Sequence, residues 1–253
     1  MTDRITVAVS GALGRMGCEV IAAVQAEPDL MLVAEADKGD GLADILARSK
    51  PTALVDFSVP EAVMGNIEAA LVAGVVPIVG TTGLSLADVT HVRALCRRHG
   101  CGALIAPNFA IGAVLMMQFA KMAAKYMPDA EIIEMHHEKK LDAPSGTASK
   151  TAEMIAEGRA DAAPTPLPTD AFEKLPGSRG GKGVGDIPIH SVRLPGFVAS
   201  QMVIFGGLGQ TLTLRHDSID RKSFMPGVIL AVRHAPVLAA NGGALIYGLE
   251  NLL

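Results

Sequence analysis

The feature that most constrains the fold is a regular alternation of β-rich and helix-like segments over residues 5–110. The β-rich runs are ITVAV (5–9), LMLVAEA (30–36), TALVDFS (52–58), VVPIVG (75–80) and GALIAP (102–107). The segments with helical spacing are RMGCEVIAAVQA (15–26), PEAVMGNIEAALVAG (60–74) and SLADVTHVRALCRRHG (85–100). Because such alternation is typical of strand–helix–strand crossovers, it predicts a doubly wound parallel sheet with helices on both faces.

Beyond residue 110 the pattern changes to strands in series. A helix over about 112–126 leads to the strand AEIIEMH, and a second helix runs from Ser145 to about Glu157. Residues 158–186 are rich in Pro and Gly and predict a long loop. Three β-rich runs follow, IPIHSVRL, ASQMVIFG and QTLTLRH, and then the helix MPGVILAVRHAPVLA and a short tail. This half predicts an α+β domain with an open mixed sheet, and the last helix is expected to return to the first domain.

Composition excludes several classes of partner. The 253 residues include 22 basic and 26 acidic side chains and no tryptophan, which argues against a nucleic-acid partner. The first residues lack the apolar core of a signal peptide, and the longest apolar runs are interrupted well short of the roughly 18 residues of a membrane span. We therefore expect a cytoplasmic protein without membrane association. Cys18, Cys96 and Cys101 are too few and too scattered for a disulfide framework.

A glycine-rich turn follows the first predicted strand. Gly11, Gly14 and Gly17 in VAVSGALGRMG have the spacing G-x-x-G-x-x-G at the start of a helix. Such glycines permit a tight turn, close approach of a pyrophosphate to the backbone, and close packing of the helix on the strand. Asp37 follows near the end of the second strand, where a carboxylate binds a ribose hydroxyl. The combination predicts dinucleotide binding, with a purely structural turn as the alternative.

Charges beside the predicted ribose site bear on the choice of cofactor. Asp37 favours an unphosphorylated ribose, whereas Lys38 and Arg15 are cations that tolerate a 2′-phosphate. The pattern suggests that NADH and NADPH are both usable, unless Lys38 is simply solvated. Two further turns, VGTTG (79–83) and APNFAIG (106–112), end later strands of the same predicted sheet. Because ligands of such sheets bind outside the carboxyl ends of the strands, both turns should face the cofactor's reactive end.

The segment IEMHHEKKLDAPSGTAS (133–149) concentrates titratable groups. A metal site is disfavoured, because adjacent residues of a strand point to opposite faces and His136 and His137 would not share one ion. A solvated charged surface is the simplest alternative, and it suits Glu138 and Lys139. No metal is therefore expected.

The same segment continues into a predicted helix start. Ser145 is a candidate N-cap, followed by Gly146 and Thr147, whose backbone N–H groups lie at the positive end of the helix dipole. Lys140 precedes Gly146 closely enough to reach the same anion. The segment therefore predicts a site for a small polycarboxylate, with a histidine near enough for proton transfer.

The motif EMHHEKKLDAPSGTA closely resembles the signature of the dihydrodipicolinate reductase family. The segments SGALGRMG, DFSVPE, VGTTG, APNFAIGAVL, HSVRLPG, VIFGGLGQTLTLRHDS and SFMPGV resemble further family segments in the same order, so the resemblance covers nearly the whole chain. It implies NAD(P)H-dependent reduction of a cyclic unsaturated dicarboxylate to (S)-2,3,4,5-tetrahydrodipicolinate in diaminopimelate and lysine biosynthesis. It also implies a Rossmann-type domain of residues 1–108 with 217–253, and a substrate-binding and oligomerisation domain of residues 109–216 that assembles a homotetramer through its sheet.

The resemblance also implies roles for individual residues. His136 and Lys140 match the catalytic residues, and His137, Gly146 and Thr147 match substrate contacts. The matching cofactor contacts are Gly11, Ala12, Leu13, Gly14, Arg15, Met16, Asp37, Lys38, Gly80, Thr81, Thr82, Ala106, Pro107, Asn108 and Phe109. Which of His136 and Lys140 delivers the proton stays open.

Two other functions are compatible with parts of the pattern. One is another two-domain dehydrogenase of amino-acid biosynthesis, although an aldehyde dehydrogenase would need a nucleophilic cysteine near the substrate motif. The other is a dinucleotide-sensing regulator without turnover, which would have little use for His136 and Lys140 together.

Overall fold

The structure, a computed structural model, describes residues 4–160, 162–166 and 168–253. The chain divides into two compact units, one formed by residues up to Ile111 together with Arg221–Leu253, and the other by Gly112–Asp220. In chain order the strands are β1 (Ile5–Ser10), β2 (Leu30–Ala36), β3 (Ala53–Asp56), β4 (Val76–Val79), β5 (Ala103–Ile105), β6 (Asp129–His136), β7 (Gly181–Lys182), β8 (Pro188–Arg193), β9 (Ala199–Gly207), β10 (Gln210–Ser218) and β11 (Leu245–Tyr247). The helices are α1 (Arg15–Ala26), α2 (Leu42–Ser49), α3 (Pro60–Val72), α4 (Leu86–His99), α5 (Ile111–Ala123), α6 (Gly146–Arg159) and α7 (Met225–Ala240).

The first unit is built on a six-stranded sheet. Its strand order is β11-β5-β4-β3-β1-β2, and its strand pairs are parallel. Every residue of β3 and β4 is buried, as expected for strands that helices cover on both faces. The predicted Rossmann-type fold is confirmed. The carboxyl ends of β1, β4 and β5 lie at one edge of this sheet and carry the three turns singled out in the sequence.

Two elements of the first unit were missed by the sequence analysis. Helix α2 lies between β2 and β3, where the sequence analysis predicted no helix, and Leu46 is its one fully buried residue. Strand β11 lies in the predicted tail and pairs with β5. Both are short, so their local patterns are weak, and both depend on neighbours that are distant in sequence.

The second unit contains a five-stranded sheet in the order β10-β9-β6-β8-β7. Strand β6 pairs antiparallel with β9 and parallel with β8, so the predicted mixed sheet is confirmed. Along β6 the residues Ala130, Ile132 and Glu134 are buried at every second position. A glutamate therefore occupies an interior position of the central strand.

The predicted loop over residues 158–186 contains more structure than expected. Helix α6 continues to Arg159, whose buried guanidinium donates to the carbonyl oxygens of Pro128 and Gly185 at 2.7 Å each. Strand β7 pairs antiparallel with β8, and a short 3₁₀ turn covers Val184–Asp186. Residues 161 and 167 of this predicted loop lie outside the described residues.

A long apolar helical segment lies near the end of the chain. A 3₁₀ turn at Arg221–Phe224 continues into α7, and this helical segment is long and apolar enough by length and composition to cross a membrane. Its residues pack against β1, β3, β4 and β5, which accounts for its apolar character. Arg233 of α7 also donates to Asp29 at 2.8 Å and to Glu27 at 2.6 Å.

Candidate active site

The glycine turn of the first unit packs closely against the protein's own backbone. Gly11 has φ +76°, and a Cβ built there would lie 2.5 Å from the carbonyl oxygen of Phe57. A Cβ on Gly17 would lie 2.1 Å from the carbonyl oxygen of Gly11, so both positions exclude a side chain. Gly14 is the N-cap of α1 and provides no side-chain acceptor for its first N–H groups. This end of α1 therefore suits an external anion.

Asp37 lies directly beside this turn. Its Oδ2 accepts from the backbone N–H of Leu13 at 2.7 Å, and its Oδ1 accepts from the N–H of Lys38 at 2.7 Å. These backbone hydrogen bonds, from Lys38 first and then Leu13, hold the pKa of Asp37 below its usual range. The side chains of Lys38 and Arg15 are exposed. The structure thus brings together the glycine turn, the predicted ribose carboxylate and the two cations.

A buried carboxylate organises the turn after β4. Asp56 is 1% exposed, and its Oδ1 accepts from the Thr81 hydroxyl at 2.5 Å and the Ser58 hydroxyl at 2.8 Å. Its Oδ2 accepts from the Asn66 amide at 2.7 Å. Gly80 precedes Thr81, and a Cβ there would lie 2.2 Å from the ring of Phe57. Asp56 therefore holds part of the predicted cofactor turn in place, while Thr82 is exposed.

The turn after β5 packs against the same region of the first unit. The rings of Phe57 and Phe109 pack with centroids 5.8 Å apart. Ala106 is buried and Pro107 is exposed, and the side-chain oxygen of Asn108 accepts from the N–H of Ala110 at 2.8 Å. The predicted cofactor residues of this turn thus share an aromatic contact with the strand end that carries Asp56.

The second unit gathers its predicted catalytic groups around Glu134. This residue is 0% exposed, and its Oε2 lies 2.5 Å from Nδ1 of His136 at the end of β6. Arg193 of β8 donates from Nη1 to Oε2 at 2.8 Å and from Nη2 to Oε1 at 2.7 Å. The backbone N–H of Ser145 donates to Oε1 at 3.2 Å. Burial raises the pKa of Glu134, but hydrogen bonds from His136, Arg193 and Ser191 outweigh it and lower the pKa to about 2.

The predicted helix start at Ser145 is confirmed. Its backbone is extended, and its Oγ accepts from the N–H of Ala148 at 3.2 Å. Gly146 is exposed, and a Cβ built on it would meet nothing within 4 Å. The first turn of α6 therefore opens onto free space at its positive end, as an anion site requires.

Lys140 lies in the turn between β6 and α6. Its backbone N–H donates to the carbonyl oxygen of His137 at 3.1 Å, and its Nζ contacts both carboxylate oxygens of Asp142 at 2.7 and 2.9 Å. Nη2 of Arg193 donates to the carbonyl oxygen of Asp142 at 2.7 Å. The turn that carries Lys140 is thus tied to the Glu134 cluster. His137 is partly exposed, just beyond the end of β6.

Four charged residues of these two sites were not singled out in the sequence analysis: Glu134, Arg193, Asp142 and Asp56. For Glu134 a signal was present, because it takes an interior position in an alternating strand, and a buried carboxylate needs donors. Arg193, the donor that the sequence could not assign, lies 59 positions away.

Comparison with known proteins agrees with this geometry. Residues 5–109 match the family model "Dihydrodipicolinate reductase, N-terminus", and residues 112–253 match "Dihydrodipicolinate reductase, C-terminus". The 4-hydroxy-tetrahydrodipicolinate reductase of Desulfitobacterium hafniense is 48% identical over 274 aligned positions that cover 99% of each chain. That of Geobacillus kaustophilus is 50% identical and covers 98% of this chain and 99% of the relative.

Solved structures extend the comparison. Dipicolinate-bound dihydrodipicolinate reductase from Paenisporosarcina sp. TG-14 is 40% identical and superposes with a TM-score of 0.86, covering 99% of this chain and 100% of that one. A probable dehydrogenase from Thermotoga maritima, at 11% identity and a TM-score of 0.61 over 98% of this chain and 92% of that one, shares the fold alone. The two matched ranges include the glycine turn and the segment around Glu134. The chain belongs to the dihydrodipicolinate reductase family.

Proposed function

We infer that the protein reduces 4-hydroxy-tetrahydrodipicolinate to (S)-2,3,4,5-tetrahydrodipicolinate in the diaminopimelate and lysine pathway. The observation that carries this function is the full-length match to reductases of this name. The structure adds that His136 and the start of α6 both contact the buried carboxylate of Glu134. A dinucleotide sensor would not need this second cluster. No cysteine is found in residues 112–220, which argues against a thiohemiacetal mechanism.

The first unit fits a pyridine dinucleotide. Two glycines at which a Cβ would clash, an uncapped helix N-terminus and Asp37 beside the turn are the features such a ligand needs. We assign the cofactor contacts to the turn at Gly11–Met16, to Asp37 and Lys38, and to the turns at Gly80–Thr82 and Ala106–Phe109. When bound, the reduced nicotinamide supplies the hydride.

NADH and NADPH should both serve as donors. Asp37 can accept from a ribose hydroxyl while keeping one hydrogen bond from the backbone of Leu13, since each carboxylate oxygen accepts more than one donor. A 2′-phosphate would place charge near Asp37, but the exposed side chains of Lys38 and Arg15 can neutralise it.

The second unit supplies the groups that bind and protonate the substrate. We assign one substrate carboxylate to the first turn of α6, at Gly146 and Thr147, where the helix dipole favours an anion. His137 contacts the substrate as well. Reduction of a conjugated carbon leaves negative charge, which the cation of Lys140 stabilises and an acid, His136 or Lys140, neutralises.

Assembly and location follow from the same assignment. We propose a cytoplasmic homotetramer that forms through the mixed sheet and has neither nucleic-acid nor membrane partners. In support, β10 is an edge strand whose residues Gln210–Thr213 are exposed, and Leu212 among them is an apolar residue. Light scattering at micromolar concentration tests the assembly, and a monomer would contradict it.

Spectrophotometric assay with NADPH or NADH and freshly prepared dihydrodipicolinate tests the reaction. Lys140→Ala should lower kcat roughly 100-fold or more, the cost of losing one group that stabilises developing charge. Its dissociation constant for NADPH should stay within about twofold, because the cofactor contacts are assigned elsewhere. Lys139→Ala is the matched control, since Lys139 is the neighbouring lysine and is exposed. No substrate-dependent loss of absorbance with folded wild-type protein would refute the function.

A further inference from the structure

Glu134 is too well connected to serve only as an ion-pair partner. Its Oε1 accepts from Arg193 and from the N–H of Ser145, and its Oε2 accepts from Arg193 and contacts His136. The residue is fully buried, and it stands where the alternation of β6 places apolar side chains. A buried carboxylate of this kind costs stability unless every acceptor site is used. Packing alone would be served by an aliphatic residue.

The contacts of Glu134 reach three different parts of the proposed substrate site. His136 is the predicted acid or base, and Ser145 is the N-cap of the helix whose first turn is the predicted carboxylate site. Through Arg193, which also donates to the carbonyl oxygen of Asp142, the cluster reaches the turn that carries Lys140. One side chain thus fixes the relative positions of the histidine, the helix start and the lysine turn.

The hydrogen bond to His136 also selects which ring nitrogen is free. Glu134 is paired with Arg193 and ionised, so it can only accept hydrogen bonds. Nδ1 of His136 must therefore carry the proton that lies between them. Nε2 is left to exchange a proton with the substrate, as an acceptor when the ring is neutral and as a donor when it is charged.

We propose that Glu134 and Arg193 are positioning residues for the reaction, which act by fixing the Nδ1–H form of His136 and the start of α6. The inference rests on the proposed function, and it deepens it by assigning Nε2 as the proton-transferring atom. Neither residue touches the substrate in this scheme. Their effect on turnover passes through His136, and their effect on substrate affinity passes through the helix start.

The first test is spectroscopic and needs no turnover. In protein labelled with ¹⁵N-histidine, His136→Gln identifies the signals of this ring among the seven histidines. In the neutral ring, reached by raising the pH until its ¹⁵N shifts stop changing, the wild-type protein should show the Nδ1–H tautomer at His136. Glu134→Gln should shift the ring towards a mixture of tautomers. An Nε2–H tautomer in the wild type would overturn the proposal whether or not the protein reduces this substrate.

The second test separates positioning from general destabilisation by a double-mutant cycle. Glu134→Gln should lower kcat by roughly 10- to 100-fold, the usual effect of losing a partner that orients a functional histidine. In a His136→Ala background the same change should lower kcat less than about threefold. Equal losses in both backgrounds would indicate a structural role and would overturn the proposal.

Controls are available within the same sheet. Glu131 of β6 forms another glutamate–histidine pair, in which its Oε2 lies 2.9 Å from Nε2 of His190 on β8. Glu131→Gln removes this carboxylate and should leave kcat within about twofold of wild type. Arg193→Lys retains the positive charge but not the bidentate contact with Glu134, so it should reproduce part of the loss of kcat. If Glu134→Gln does not fold, Glu134→Asp takes its place in the cycle. For Glu134→Gln, or for Glu134→Asp in its place, an unchanged KM for the dicarboxylate would contradict the proposal that Glu134 positions the carboxylate site at the start of α6.

Discussion

Replacing Glu134 by glutamine should destabilise the protein by an amount that shrinks as the pH falls. Burial raises the pKa of this carboxyl, but its hydrogen bonds with His136, Arg193 and Ser191 lower it from 4.5 to about 2. Because the pKa in the folded protein lies below that of the unfolded chain, the ionised carboxylate stabilises the fold above pH 4.5. That contribution is lost as the pH falls through about 2.

The size of the effect follows from the pKa difference. A lowering of about 2.5 in pKa corresponds to about 3 kcal/mol at pH 7. The same linkage leaves a smaller contribution at pH 4 and about half of it at pH 3. Removal of one member of a buried ion pair costs about 3–5 kcal/mol in general, which agrees with the value at neutral pH.

Thermal unfolding followed by circular dichroism at pH 7, 5, 4 and 3 measures this dependence. At about 2–4 °C per kcal/mol, Glu134→Gln should lower Tm by about 6–12 °C at pH 7, and the gap should close by about half at pH 3. Glu131→Gln corrects for the change in net charge, because its side chain on the same strand is 57% exposed. A gap that stays constant or widens towards pH 3 would refute the assignment of the lowered pKa to the folded cluster.

Two further substitutions test the ligand contacts. Gly146→Ala should leave Tm unchanged, because the added Cβ meets no protein atom within 4 Å. It should raise KM for the dicarboxylate roughly tenfold, which is about 1.4 kcal/mol of binding free energy. A melting curve and steady-state kinetics measure the two effects, and an unchanged KM would contradict the carboxylate site. Asp37→Ala should raise KM for NADH by roughly tenfold, the loss of a charged hydrogen bond, and KM for NADPH by less; equal effects on the two cofactors would contradict the ribose contact.

The fold was predictable where long segments carry a single strong pattern. Helix α1 and strand β2 begin and end at the residues that the sequence predicted, because an amphipathic segment and a β-rich run meet at clear boundaries. Helix α2 and strand β11 were missed, because each has few residues and their structure depends on tertiary neighbours. The two-residue strand β7 (Gly181–Lys182) was missed for the same reason, in a loop rich in Pro and Gly.

The site was predictable only as far as its signals are local. The sequence places His136, Lys140 and the helix start within one segment, and it places Asp37 at the end of a strand beside the glycine turn. It does not show that Glu134 is the group that joins them, since its partner Arg193 comes from β8, a strand with no local connection to the motif. The pairing of β6 with β8 is what brings these two side chains together, and pairing between strands distant in sequence leaves no local pattern.

Burial decides which of two ion pairs beside the motif, Glu134–Arg193 and Lys140–Asp142, can exchange partners. Glu134 is 0% exposed and the side chain of Arg193 is 18% exposed, so separating them would leave uncompensated charges in the interior. Lys140 and Asp142 form a pair whose carboxylate is 61% exposed, and such a pair contributes little net energy. An incoming dicarboxylate can therefore compete with Asp142 for Lys140 at small cost, while the Glu134–Arg193 pair keeps His136 and the start of α6 in place. The unit thus combines a fixed carboxylate that sets geometry with an exchangeable one that leaves the lysine available to an anion.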